Sequence, residues 1–280
     1  MCILFWIADH PKYRFIFAAN RDEFLHRETA DAAFWESPND YVVAGRDLEP
    51  STSSMQHGTW LGLTKHGRFA ALTNYRERVF QGRLSRGILV RDFLTSNISV
   101  DDYMIKIRNE KDMYGGFNLV CFDGLNEEGD LHMAYYSNRM DTDIISLQKN
   151  VVYGLSNSVL DVPWPKVEEG RQKLESILEK CADNEDQLIE SLFTLLSTTK
   201  PLPDTSNLEL VLEEMKQRIC IPKFSNSDFG NATEYATRTS TVILVDHDGH
   251  AVFVERQRYD EQGAVRNDTG TVFRFKLQKK

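Results

Sequence analysis

Cys2-Ile3-Leu4-Phe5-Trp6-Ile7-Ala8 and Tyr13-Arg14-Phe15-Ile16-Phe17-Ala18-Ala19, the second running into Asn20-Arg21-Asp22-Glu23-Phe24, are the stretches that decide how this chain folds. Both are apolar runs of strand composition. Only Asp9-His10-Pro11-Lys12 separates them, and Pro11 favours a turn, so they are expected to pair as a hairpin. In an antiparallel hairpin the start of the first strand lies beside the end of the second. The polar cluster Asn20-Arg21-Asp22-Glu23, read as a turn that closes the second strand after Ala19, is thereby brought within reach of Cys2.

Cys2 follows the initiator methionine, and a residue this small permits removal of Met1. The processed chain would begin with a residue carrying both a thiol nucleophile and an α-amine. That amine titrates at about 7.7–8.0 and can serve as a base near neutral pH. This is the chemistry of N-terminal-nucleophile hydrolases. Arg21 and Asp22 beside such a pair would tune both titrations. The plainer reading is an Arg-Asp pair in a solvated turn.

At 280 residues with 41% apolar content, the chain suits one folded, sheet-rich domain over residues 1–280. A net charge of −9 and the lack of a basic stripe argue against nucleic acid as a partner. Cys2, Cys121, Cys181 and Cys220 show no close pairing or zinc spacing, so they read as reduced thiols in a cytoplasmic setting, with no metal site. No run approaches the roughly 20 apolar residues that a membrane-spanning helix needs. The apolar run after Cys2 has no basic region before it, which argues against a signal peptide, and Asp9, Asp22 and Glu23 count against a mitochondrial presequence. No P-loop, dinucleotide fingerprint or Cys-x-x-Cys-His haem attachment occurs, so no cofactor is required on these grounds.

Further strands are expected at 60–64 and 68–73, at 117–122 and 132–137, and at 241–246 and 251–256 around Asp248-Gly249, with an edge strand at 273–276. Pro165 suits the first turn of a helix whose Leu174, Ile177, Leu178 and Cys181 fall on one face. Asn184 with Gln187 marks the start of a second helix that places Leu188, Leu192, Leu195 and Leu196 together. Weaker helices are read at 85–95 and 101–108, and loops at 201–207 and 222–233, the second long enough for a lid. Strands, then helices, then strands suit two sheets sandwiched between helical layers.

Met1-Cys2-Ile3, Ala18-Ala19-Asn20-Arg21-Asp22-Glu23-Phe24 and Gly58-Thr59-Trp60-Leu61-Gly62 resemble the NRDE family, also called the transport and Golgi organisation protein 2 family. Leu72-Thr73-Asn74-Tyr75, Gly116-Phe117-Asn118-Leu119, Tyr153-Gly154-Leu155-Ser156-Asn157 and Thr237-Arg238-Thr239-Ser240-Thr241 continue the match in order along nearly the whole chain. The resemblance implies an α+β fold, a four-layer αββα sandwich of two mainly antiparallel sheets. It also implies links to haem trafficking, lipid or acyl-CoA homeostasis, mitochondria and Golgi organisation, and leaves mitochondrial association and peripheral membrane contact open.

By similarity to the cysteine-type amidases of this fold, the catalytic roles fall on Cys2, Asp22, Asn74, Asn157 and Arg238, with Asn20, Arg21 and Glu23 as ligand-binding neighbours. Asn74 follows a strand, and its amide could donate to a developing oxyanion. Turn formation or a salt bridge is the plainer role for Asn74, Asn157 and Arg238. Those amidases carry an Arg three residues before the Asp, where this chain has Ala19. Arg21 is adjacent to Asp22 instead, and alternation along an extended chain is expected to turn it away from Cys2.

Two functions follow. In one, the pocket around Cys2 holds a small apolar or acidic ligand (haem or an acyl group) for transport. In the other, Cys2 cleaves an amide or thioester bond.

Overall fold

The computed structural model describes residues 2–49, 57–77, 84–126, 131–229, 234–260, 263–266 and 270–278. The strands, in chain order, begin with β1 (Cys2–Ala8), β2 (Tyr13–Phe24), β3 (Thr29–Phe34), β4 (Val42–Asp47) and β5 (Leu61–Thr64). They continue with β6 (Phe69–Asn74), β7 (Phe117–Asp123), β8 (His132–Ser137), β9 (Ile145–Ser146) and β10 (Tyr153–Leu155). The last are β11 (Phe224–Ser225), β12 (Glu234–Asp246), β13 (His250–Gln257) and β14 (Thr271–Lys276). The helices are α1 (Gly87–Thr95), α2 (Val100–Asn109), α3 (Pro165–Cys181), α4 (Glu185–Leu196) and α5 (Leu208–Glu214).

One sheet runs β10-β1-β2-β12-β13-β14, with β11 attached to β12; the other runs β3-β4-β5-β6-β7-β8-β9. Every pairing in both is antiparallel. The period-2 alternation of β1 shows why the sheets stack. Leu4, Trp6 and Ala8 enter the core between the sheets with Phe69, Val120 and Phe122, whereas Ile3, Phe5 and Ile7 face α3 and α4. On the far side α1 and α2 pack Leu89, Phe93, Tyr103 and Met104 onto the second sheet. The layers are therefore helix, sheet, sheet, helix, as expected.

The helix boundaries follow their sequence signals. Pro165 opens α3, and the Asn184 side chain accepts the Gln187 N–H at the start of α4. The periodic face Leu188, Leu192, Leu195 and Leu196 is buried. The edge strand is present as β14; Lys279 and Lys280 lie outside the described residues.

Two expectations are corrected. Asn20-Arg21-Asp22-Glu23 is not a turn: β2 continues through it to Phe24, paired with β12 by Asn20↔Ser240 and Asp22↔Thr237. The strand tolerates Asn20 because its amide donates to Leu196 O (2.8 Å) and Ile219 O (2.9 Å) and accepts from Ser240 Oγ (2.7 Å). The 222–233 stretch is not all loop, since Phe224 and Ser225 pair with Tyr235 and Glu234; residues 230–233 lie outside the described residues.

Candidate active site

Cys2 heads β1, with β2 on one side and β10 on the other. It lies directly across from Arg21, and directly opposed residues of an antiparallel pair share a face. Arg21 therefore stands on the Cys2 side of the sheet, between the layers, and does not turn away from it. Alternation within β2 gives no register between strands, and the register is what sets the face. The Arg21 guanidinium carbon lies 4.4 Å from the Trp60 ring centroid, and Nη2 is 3.6 Å from Glu23 Oε2. Its Nη1 is buried without a hydrogen-bond partner among the described residues.

Asp22 points to the helical side and is 1% exposed. Thr237 Oγ1 donates to its Oδ1 at 2.6 Å, and the Tyr235 hydroxyl donates to its backbone oxygen at 3.0 Å. Between Thr237 and Thr239 the register slips, so Arg238 is the extra residue of a bulge. Burial raises the Asp22 pKa; Lys166, the Thr237 hydrogen bond and Arg258 oppose the rise. Burial also raises the Cys2 thiol, Asp22 adds to the rise, and Arg21 opposes it. The positive neighbours expected to activate the thiol are thus outweighed by desolvation.

The asparagines form the other wall. Just past β10, Ser156 Oγ donates to Cys2 O at 2.7 Å and lies 3.1 Å from Asn157 Oδ1. Asn157 Nδ2 donates to the backbone oxygen of Asn74 at 2.7 Å, which ties the end of β6 in the second sheet to the start of β1 in the first. Behind them Thr73 Oγ1 donates to Ser156 O, and Asn118 Nδ2 donates to Thr73 Oγ1 at 3.0 Å. Cys2, Asn74 and Asn157 are brought together, although they come from β1, β6 and the segment after β10 and so from two sheets.

The remaining candidates sit around this group. Arg238 Nη1 donates to Leu25 O (3.4 Å) and to Arg27 O, which fixes the chain as it leaves β2. Burial works against charge on Glu23, yet Arg21, Arg27 and the Phe24 N–H outweigh it and hold the carboxyl below its ordinary range.

Lys166 was missed by the sequence reading. It is 0% exposed in the first turn of α3, and its Nζ has no hydrogen-bond partner among the described residues. Burial lowers its pKa, while Asp22 and then Cys2 raise it. A signal was present: the stripe through Leu178 and Leu174, followed back in steps of four, reaches Gly170 and then Lys166.

A cavity of about 340 Å³ lies against Phe193, Cys220, Ser240, Arg258, Tyr259 and Val265, where Ser240 donates to Asn20 Oδ1 on the strand that carries Asp22. Asp246, Asp248 and His250 bring potential metal-ligand atoms within 4.8 Å of one another at the β12–β13 turn, the opposite end of β12 from the Arg21↔Thr239 pair. Among the described residues no helix is long and apolar enough to cross a membrane.

The solved structure of the C2A mutant of conjugated bile acid hydrolase from Clostridium perfringens superposes with a TM-score of 0.50 at 11% identity, covering 100% of this chain and 98% of that one. At that identity the likeness establishes the N-terminal-nucleophile-hydrolase fold alone. A Bos taurus protein named Transport and Golgi organization protein 2 homolog is 39% identical over 99% of this chain and 100% of its own length. The Homo sapiens protein of the same name is 38% identical over 93% of this chain and 94% of its own length. The family model for Transport and Golgi organisation 2 matches residues 1–260, and the chain belongs to that family.

Proposed function

We propose that the chain, once Met1 is removed, is a cysteine N-terminal-nucleophile hydrolase acting on an amide or thioester bond of an acyl compound. The observation that carries this reading is the register Cys2↔Arg21 with Asp22 next along β2, joined by Ser156 at the Cys2 carbonyl and by Asn157 beside the Ser156 hydroxyl. In the step we assign, the α-amine accepts the thiol proton and the sulfur attacks the acyl carbon. The leaving amine or thiol departs with that proton, and water then hydrolyses the thioester on Cys2. Asn157 uses one of its two amide hydrogens on Asn74, and we assign the other to the developing oxyanion, with the Asn74 amide beside it. Asp22 orients the amine, Arg21, steadied by Glu23 beside it, faces an acidic part of the substrate, and Asn20 and Arg238 hold the strand ends in place.

A second reading, a carrier of an apolar or acidic ligand such as haem or an acyl group in a haem-trafficking or lipid-homeostasis role, is favoured by the cavity beside Cys220 and Arg258. Its apolar walls Phe193 and Val265 adjoin Arg258, a combination suited to an amphiphile. At about 340 Å³ it lies near the small end of ligand pockets, which run from roughly 300 to 1,000 Å³.

The test is an absorbance titration with haemin beside a screen of acyl amides and acyl-CoA thioesters, on the parent and on Cys2→Ser. Turnover that falls at least about a hundredfold in Cys2→Ser supports the hydrolase. Saturable haemin or acyl binding, unchanged in Cys2→Ser and without turnover in the parent, supports the carrier.

A further inference from the structure

We propose that Lys166 is a positioning residue for Cys2: its buried ammonium is the charge partner of Asp22, and the pair holds the terminal amine of the processed chain beside the sulfur. The inference rests on the reading of Cys2 as nucleophile.

The packing of α3 on β1 places Lys166 there. Gly170 sits so close to Phe5 that a Cβ would meet the ring at 2.0 Å, and a Cβ on Gly154 would meet Val167 at 2.8 Å. Two missing side chains therefore let the first turns of α3 press onto β1 and β10. Lys166 is one turn before Gly170 on the same helical face. One turn advances about 5.4 Å, close to two residues of strand at about 3.3 Å each, so a step back from Phe5 along β1 arrives at Ile3, next to Cys2. A step the other way would reach Ile7, but the start of α3 lies at the Cys2 end: the Trp164 ring centroid is 5.8 Å from the Arg76 guanidinium carbon, and Arg76 N donates to Asn157 O at 3.0 Å.

The surroundings leave the ammonium little else to do. It is 0% exposed, its Nζ has no hydrogen-bond partner among the described residues, and the Trp164 ring centroid is 5.6 Å away. A buried lysine that makes no hydrogen bond is costly to retain. The charged and titratable groups that act on it are Asp22 from β2, Cys2 from β1 and Arg76 after β6, of which only Arg76 opposes its charge. Asp22 in turn is faced by Lys166 from α3, by Thr237 and Tyr235 from β12, by Arg258 after β13 and by Cys220. Among these, Lys166 is the cation with the largest effect on the carboxylate. The amine of the processed chain needs that carboxylate ionised to stay oriented.

The experiment uses the full chain, with Met1 removal verified by intact mass, as parent, Lys166→Met, Lys166→Arg and Lys166→Met/Asp22→Asn. The readout is the rate of Cys2 alkylation by iodoacetamide against pH, resolved by peptide. Lys166→Met is expected to slow alkylation at neutral pH about tenfold, one unit of displacement in the profile. Lys166→Arg should restore most of the rate, and the double variant should refold what the single variant destabilises. A Lys166→Met profile that superimposes on the parent overturns the proposal. So does a double variant no more stable than Lys166→Met, which also decides the case where the single variant is too unstable to assay. A displaced profile without acyl turnover in the parent would retain the role of Lys166 and reject the hydrolase. Turnover lost in Cys2→Ser with an unmoved Lys166→Met profile would do the reverse.

Discussion

Cys2 and Arg21 occupy one register position on β1 and β2, so thiol and guanidinium share a face of the sheet, with the Trp60 ring closing over the guanidinium. A buried arginine under an indole is shielded from water, so its field is screened less than that of a surface charge. Arg21 works against the burial that raises the Cys2 pKa. Arg21→Ala should slow Cys2 alkylation at neutral pH by roughly three- to tenfold, and Arg21→Lys by less. Equal rates in parent and Arg21→Ala would show that the guanidinium does not act on the sulfur.

The thiols should also rank. Cys121 is 0% exposed within β7 and its pKa is raised well above the ordinary value by burial, whereas Cys2 and Cys220 are 9% and 8% exposed. In peptide-resolved labelling of folded protein, Cys121 should be the slowest of these three. Cys2 should lead once Met1 is gone, because its own ammonium then adjoins the sulfur. Mass spectra of protein from its native host should show loss of one methionine, and retention of Met1 would remove the base that the hydrolase needs.

Glu255 predicts a pH dependence of stability. It is 2% exposed on β13, accepts the Ala32 N–H of β3 at 2.7 Å, and burial lifts its pKa from 4.5 to about 7. The native state therefore holds this proton over a range in which the unfolded chain has lost it. Its contribution is full below about pH 4.5 and is lost as pH rises to about 7, a change of about 3 kcal/mol at most. Urea melts at several pH values should show parent stability declining across that window relative to Glu255→Gln. Parallel profiles would contradict the assignment.

Gly170→Ala should destabilise the chain by about 1–3 kcal/mol, because the new methyl must displace the Phe5 ring or lift α3 from β1. Phe5→Leu in the same chain should recover part of that loss, since the smaller side chain leaves room at the contact. Additive losses in urea melts would place the strain elsewhere.

Much of this protein was legible in its residues. The hairpin of β1 and β2 followed from two apolar runs and a Pro-containing turn, and α3 and α4 from Pro165, Asn184 and the period of their leucines. The NRDE cluster and its closeness to Cys2 followed from antiparallel geometry. These are local signals, or consequences of one short connection.

What the chain alone left open involves register and long-range packing. Polar composition suggested a turn at Asn20–Glu23, but tertiary hydrogen bonds to Leu196, Ile219 and Ser240 keep it a strand. The face taken by Arg21 depends on a pairing between strands that a single strand's alternation does not fix. Asn157 meets Asn74 across two sheets, and Lys166 is buried on the face of the sheet that carries Asp22 because glycines distant in sequence let a helix close onto a strand. Composition and periodicity set the layers; the charges that gather at Cys2 were decided by how closely those layers pack.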